Sequence, residues 1–232
     1  MYSLVLLNGG VGARLDAGRP KQLVTVGGLP ILVYSLVAAD AVEEIDQIVL
    51  NYPPGWREQV EEIVRSYAIA TPVVYVEAGA TRHESVARDL ARCSNEQVIV
   101  HESARPLVTS ADFRRLIDDP RPNVALMLPI PFTVAPVDPE TSRVTGSLDR
   151  SRLRNVQLPQ KFALADLQAA HEWAAARNLV YTEDATLAVD AGYEVYFVAG
   201  SDRNLKVTTR TDVRLAAFLL QGGDDGRDDF SG

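Results

Sequence analysis

Leu4-Val5-Leu6-Leu7-Asn8-Gly9-Gly10-Val11-Gly12-Ala13-Arg14-Leu15, followed by Arg19-Pro20-Lys21-Gln22, is the stretch on which the reading of this chain turns. A short apolar run that ends in glycines describes a buried strand whose backbone turns sharply at its carboxyl end. Glycines let the main chain approach a bound group closely and turn N–H groups toward it. Arg14 and Lys21 place two cations on the same loop, and N–H groups beside paired cations suit a polyphosphate. Two familiar phosphate loops do not match. The dinucleotide fingerprint wants Gly or Ala three residues after Gly12, where Leu15 stands. The Walker-type loop wants Gly-Lys-Ser/Thr opening a helix, whereas Lys21 follows Pro20. The bland competitor is a glycine turn carrying solvated basic side chains.

Outward from that loop, strand-like and helix-like patterns alternate. Strands are expected at 4–7, 47–51, 73–76, 98–101 and 124–130, with helices at 31–42, 56–67, 84–93 and 110–117 between them. Short apolar strands separated by amphipathic helices imply a Rossmann-like α/β fold, with a mostly parallel twisted sheet and helices on both faces. Residues 131–158 break the alternation. Two strand-like pieces, 134–137 and 143–147, flank a Pro-Glu-Thr-Ser turn and read as a projecting β-hairpin arm. Helices follow at 164–177 and 183–191, a strand at 194–198, and a last helix at 211–220 opening on Thr211-Asp212. No repeat or linker divides residues 1–221, which we expect to form one domain; residues 222–232, rich in Gly and Asp, are expected to be disordered.

Composition narrows the function classes. A chain of 232 residues that is 47% hydrophobic can bury a sizeable core. Its net charge of −8 argues against a nucleic-acid partner. A nucleotide remains compatible with locally clustered Arg and Lys. The single cysteine, Cys93, fits a reducing compartment and reads as packing in a helix. The apolar start is too short for a signal-peptide core, and no stretch approaches the roughly 20 apolar residues that span a bilayer. We therefore expect a cytoplasmic protein without a membrane partner.

In parallel sheets of this kind ligands bind outside the carboxyl ends of the strands. There the sequence places Gly79, Thr81, Arg82 and Ser85 after the third strand, and His101-Glu102-Ser103-Ala104-Arg105-Pro106 after the fourth. Eight markers in order now carry a resemblance: the glycine loop through Arg14; Pro20-Lys21-Gln22; Gly79 to Ser85-Val86; His101 to Pro106; Asp149-Arg150; Pro159-Gln160; Thr182-Glu183-Asp184-Ala185; and Leu205-Lys206-Val207-Thr208. From about Leu4 to Leu220 the chain resembles the bacterial cytidylyltransferases that activate methylerythritol phosphate, enzymes of isoprenoid biosynthesis, and their relatives that activate ribitol phosphate.

The resemblance implies that CTP and a phosphate-bearing acceptor give a CDP-linked product and pyrophosphate, with Mg²⁺ as cofactor. Attack by the acceptor phosphate on the α-phosphorus asks the protein for positioning and charge stabilisation, not a nucleophile. By matched position, Asn8, Gly9, Gly10 and Gly12 cradle the nucleotide, and Arg14, Lys21 and Lys206 are the catalytic cations. Gly79 and Ser85 contact the cytosine, and Arg82 orders their loop. Glu102 stands where the family has a Mg²⁺-binding aspartate. Thr133 and Arg150 match acceptor-phosphate positions on an arm that reaches across a homodimer. His101 reads as a packed residue, and His83 and His171 lack a metal-binding cluster. Asp202 is a weaker metal candidate than Glu102.

Four positions depart from the family pattern: Glu102 for aspartate; Pro129-Ile130-Pro131-Phe132-Thr133 for a segment with a charged pair; Leu158 for a threonine before Pro-Gln; and Ala80 for an acidic or polar residue. The nucleotide end is kept while the acceptor end is altered, which leaves ribitol phosphate, another polyol or sugar phosphate, or a small phosphonate as alternative acceptors. The rival readings are a catalytically weak nucleotide-binding subunit, and the same enzyme class with another nucleotide.

Overall fold

The protein is described by a computed structural model, covering residues 1–10 and 20–222 and excluding the Lys21 side chain. Gly12, Arg14, the Lys21 side chain and nearly all of the expected disordered tail therefore lie outside the described residues.

Strand β1 (Tyr2–Leu7) leads through a 3-10 turn (Lys21–Leu23) to a small hairpin, β2 (Thr25–Val26) and β3 (Leu29–Pro30), and then to α1 (Ile31–Asp40). The alternation continues with β4 (Ile45–Tyr52), α2 (Arg57–Ser66), β5 (Val73–Glu77), α3 (Arg82–Leu90), β6 (Gln97–Glu102), α4 (Ser110–Ile117) and β7 (Val124–Pro129). The arm carries β8 (Val137–Asp138) and β9 (Arg143–Val144), and after a 3-10 turn (Arg150–Arg152) come β10 (Arg154–Ala163), α5 (Leu164–Ala175), α6 (Asp184–Asp190), β11 (Tyr196–Ala199) and α7 (Arg210–Leu220).

The seven-stranded sheet has the order β11-β7-β10-β6-β1-β4-β5. β1 pairs in parallel with β4 on one side and β6 on the other, so the strand order reverses around it and opens a crevice at the carboxyl ends. Alternation along β1 explains the two layers. Leu4 and Leu6 point to one face with Ile48, Leu50 and Ile99, under Leu32 and Leu36 of α1, Val60 of α2 and Phe113 of α4. Val5 and Leu7 point to the other face with Val98, Val100 and Phe162, under Val86 and Leu90 of α3, Leu167 of α5 and Ala185 of α6. Fully burying each such Leu, Val or Phe contributes about 1.5–3 kcal/mol.

Three expectations need correction. The sequence reading extends the arm to residue 158 and assigns no strand to 154–163, whereas β10 runs antiparallel there between β6 and β7. It tolerates Pro159 through a register shift between Gln157 and Gln160 on the β7 side, so that neither Leu158 nor Pro159 is needed in that ladder. The last helix is capped by Thr209, not Thr211: Thr209 Oγ1 accepts from Asp212 N–H at 3.2 Å while Asp212 Oδ2 accepts from Thr209 N–H at 2.8 Å. The arm hairpin exists, but its strands are two residues each, closed by Asp138, whose carboxylate accepts from the Glu140 and Thr141 N–H groups. Elsewhere the expected elements occur with ends moved by a few residues, and the α4 bounds coincide.

Candidate active site

A cleft of about 370 Å³ opens where β1, β5 and β6 end. Gly9 and Gly10 form one wall, Gly79, Thr81 and Ser85 the opposite wall, and Arg82, Glu102 and Lys206 the side that carries charge. Eight of the residues singled out from sequence thus meet in one place. Asn8 stands just behind them, fully buried.

Each wall has a local cause. At Gly9 a Cβ would lie 2.3 Å from Ala78 Cβ, so only glycine lets the two strand ends close on one another. At Gly79 a Cβ would lie 2.7 Å from Glu84 Cβ, because the loop is folded back on α3. Thr81 caps that helix, its Oγ1 accepting from Glu84 N–H at 3.1 Å. Ser85 Oγ accepts from Gly79 N–H at 3.0 Å and donates to Thr81 carbonyl O at 2.8 Å, while Glu84 accepts from Ala80 N–H at 2.8 Å. The Ser85 hydroxyl is thus used to shape the loop as well as to line the cleft. The Asn8 N–H corrects the sequence reading in one respect: it does not face a ligand but donates to Asn51 Oδ1 at 2.6 Å.

Charge is organised around two buried carboxylates. Glu102, at the end of β6, accepts from Arg105 Nε at 2.8 Å and from Lys206 Nζ at 2.5 Å. Burial alone would push its carboxyl up, but Arg105 and then Lys206 reverse that and hold it at about 2. Lys206 is set in place by the backbone beside it, with Val207 N–H donating to Ala104 O at 2.8 Å, and Arg105 Nη1 donates to Asn204 O at 2.8 Å. Asp184, at the start of α6, holds Arg82 by two hydrogen bonds of 3.1 and 2.6 Å. Burial opposes the charge on each partner, yet their attraction keeps Asp184 well below the carboxylate range and Arg82 above its ordinary value. Arg82 thereby ties the start of α3 to the start of α6.

Beyond Glu102 lies a second recess of about 140 Å³, bounded by Arg82, Glu102 and Lys206 on one side and by Leu158, Gln160 and Thr182 on the other. Thr133 and Arg150 line neither space. Both are exposed on the arm, where Arg150 Nη1 donates to Pro131 O at 2.9 Å. Asp202 is exposed and also lines neither. His101 is packed as expected, edge to face with Phe113 at 5.5 Å, and burial drives its imidazole down to about 3. Burial likewise pushes the Cys93 thiol up to about 12, which leaves it inert at neutral pH.

Sequence reasoning missed Asn51, Gln22 and Asp89. Gln22 lines the cleft with its Oε1 unpartnered among the described residues, although it sits inside the quoted Pro20-Lys21-Gln22. Asn51 had a signal: a polar residue directly after the apolar run Ile48-Val49-Leu50, near the carboxyl end of its strand.

The comparisons with known proteins agree with this architecture. Residues 2–222 match the family model described as IspD, 2-C-methyl-D-erythritol 4-phosphate cytidylyltransferase. A Synechococcus protein of that name is 35% identical over 226 residues, covering 94% of this chain and 96% of the relative. One from Bacillus cytotoxicus is 32% identical, covering 95% and 98%. Among solved structures, the 4-diphosphocytidyl-2C-methyl-D-erythritol synthase of Anaerococcus prevotii superposes with a TM-score of 0.83 at 26% identity, covering 95% of this chain and 96% of its own. The Thermus thermophilus cytidylyltransferase gives 0.76 at 30% identity, covering 95% and 100%. With nearly every residue from β1 to the end of α7 inside that match, the chain belongs to the 2-C-methyl-D-erythritol 4-phosphate cytidylyltransferase family.

Proposed function

We propose that this protein is a CTP-dependent cytidylyltransferase that moves CMP onto 2-C-methyl-D-erythritol 4-phosphate and releases pyrophosphate. The observation that carries the reading is the cleft itself: two glycine walls face each other at the strand-order reversal, with Lys206, Arg82 and Glu102 along one side. An acceptor phosphate oxygen bonds to the α-phosphorus, the bond from that phosphorus to the bridging oxygen breaks, and pyrophosphate leaves with the electron pair. Charge grows on the α-phosphoryl oxygens, so the site needs fixed cations and close backbone more than it needs a base. The Lys206 ammonium beside the cleft supplies one cation. Arg14 and Lys21, which follow Gly10 in the sequence, supply two more. Gly9, Gly10, Gly12 and Gly79 admit the nucleotide to the backbone, Ser85 borders the base, and Asn8 supports the loop from behind.

Mg²⁺ fits the donor set. Glu102 is ionised and borders the cleft, and the ammonium on its Oε2 belongs to the exposed Lys206, which can yield that oxygen. Among the described residues no group of three or more His, Cys, Asp or Glu side chains gathers to hold an ion, so a bound Mg²⁺ would take its remaining oxygens from the triphosphate and water. When bound it would supply charge neutralisation along the triphosphate.

The smaller recess behind Glu102 is the place we assign to the acceptor, with Thr133 and Arg150 brought to it by the arm of a second copy. We therefore expect a homodimer. Among the described residues no helix is long and apolar enough to cross a membrane, consistent with the cytoplasmic location we propose. One observation favours a second acceptor: Leu158 lines the recess with an apolar side chain. A site without a hydroxyl there suits a polyol phosphate or phosphonate with fewer hydroxyls.

The test incubates the protein with Mg²⁺, each of CTP, ATP, GTP and UTP, and a panel of polyol phosphates and phosphonates, following pyrophosphate release. Release with CTP and methylerythritol phosphate supports the reading. Release with another acceptor changes the substrate and keeps the reaction. CTP binding without release for any pair overturns the enzyme in favour of a nucleotide-binding subunit.

A further inference from the structure

Helix α3 carries two polar residues one turn apart, Ser85 and Asp89, both buried. Ser85 holds the wall that follows β5, through Gly79 N–H. Asp89 holds the other wall through an intermediary. Its Oδ2 accepts from Asn51 Nδ2 at 2.6 Å, and Asn51 Oδ1 accepts from Asn8 N–H at 2.6 Å. Ser103 closes the far end, donating from Oγ to Asn8 Oδ1 at 2.8 Å. The chain runs from the helix to the first peptide of the glycine loop without a solvent-exposed member. Gly9 follows directly, and the site of its missing Cβ lies 3.2 Å from Asn51 Oδ1. The height of the glycine wall is thus set by where Asn51 is held.

Stability offers no reason for this arrangement. Asn8, Asn51 and Asp89 are all 0% exposed, and Asn8 Nδ2 and Asp89 Oδ1 have no hydrogen-bond partner among the described residues. Apolar side chains of similar volume would avoid the cost of burying unpaired polar atoms. What the polar chain supplies is directionality, because hydrogen bonds fix distance and angle where apolar contacts slide.

We propose that Asp89 and Asn51 are positioning residues for the nucleotide, and that through the chain Asp89–Asn51–Asn8 helix α3 sets the separation of the two glycine walls. The proposal rests on the nucleotide reading above and adds to it how the cleft width is held. Asn51 borders the cleft, but Asp89 does not, so Asp89 acts only through its neighbour. Burial pushes the Asp89 carboxyl up to about 8, partly offset by the Asn51 bond and the Arg88 charge, so at neutral pH it presents a neutral carbonyl oxygen to Asn51. Asparagine presents the same oxygen.

The experiment is steady-state kinetics of the full chain, with KM for CTP and KM for the acceptor measured separately. Asp89→Asn keeps both constants within about twofold of wild type, whereas Asp89→Ala raises KM for CTP about tenfold, the equivalent of one lost hydrogen bond, with kcat and the acceptor KM little changed. If Asp89→Ala does not fold, Asn51→Ser, too short to span both partners, replaces it with the same expected split. An unchanged KM for CTP in the acceptor-less variant, an equal rise in both KM values, or failure of Asp89→Asn to restore the wild-type value overturns the proposal. The variants are read against whichever nucleotide the wild-type chain turns over, so a different nucleotide leaves this test intact. If wild type turns over none, the enzyme reading fails by itself, and the same variants are compared by calorimetric CTP binding.

Discussion

Behind the nucleotide wall, Asn8, Asn51, Asp89 and Ser103 are fully buried and linked by hydrogen bonds that cross from β1 to β4, α3 and β6. In the arm, Phe132, Val137 and Val144 are 76, 58 and 66% exposed, and its two strands pair at only two positions. The first region carries its geometry inside a single chain. The second presents apolar side chains to solvent, which a lone subunit has no reason to retain. The contrast teaches that the described walls of the cleft are held within one subunit while the arm is not; on the acceptor assignment proposed above, a second copy of the arm is our candidate to cover it.

The strongest way to break this comparison is Asp184→Ala, which takes from the partly buried Arg82 the carboxylate that holds it by two hydrogen bonds. We expect a loss of about 2–3 kcal/mol in denaturant unfolding, below the figure for a fully buried pair because Arg82 keeps some contact with solvent. A loss below 1 kcal/mol would mean that the wall does not depend on the tie between α3 and α6. Next, Lys206→Ala should lower kcat for pyrophosphate release by about 10²–10³ and leave the arm untouched, as for other residues that meet developing charge. Its exposed side chain predicts little change in melting temperature.

The pH dependence separates two carboxylates of the wall by sign. Glu102 is held at about 2, below its ordinary 4.5, so its stabilisation is present above pH 4.5 and is lost as the pH falls from there toward 2. Asp89 is raised from 3.8 to about 8, so the native state keeps a proton that the unfolded state has released. Its cost therefore grows as the pH rises from about 4 to 8 and then levels. Asp89→Asn should melt above wild type by several degrees at pH 8 and by little at pH 5; an advantage independent of pH would show that Asp89 is ionised throughout.

The arm should affect assembly and the acceptor and leave the nucleotide wall unchanged. Replacing residues 133–147 by a short glycine linker should halve the mass in light scattering and abolish turnover while CTP binding persists, and an unchanged dimer would remove the arm from the interface. Arg150→Ala should raise the acceptor KM about tenfold, the scale of one charge-assisted phosphate contact, without changing the KM for CTP.

Much of this was legible before any coordinates. The alternation of apolar strands and amphipathic helices specified the sheet with helices on both faces, because burial on two sides demands that pattern. Glycine placement at two strand ends marked both walls of the cleft. β10 was hidden because Pro159 reads as a strand breaker, and only pairing with β6 on one side and a register shift against β7 on the other accommodate it. The cap at Thr209 was hidden by a competing Thr two residues on, since capping depends on backbone angles that a pattern does not carry.

By itself, then, the sequence determined the fold class, the placement of Gly9, Gly79 and Glu102 at or just past strand ends, and the family, all of which follow from local pattern and motif order. Tertiary structure alone decided that Asn51 and Asp89, 38 residues apart, meet beneath the glycine loop, and that Arg82 is held by Asp184, 102 residues away. Hydrogen bonds and ion pairs of that reach have no period along the chain. They exist only once packing has brought their elements together.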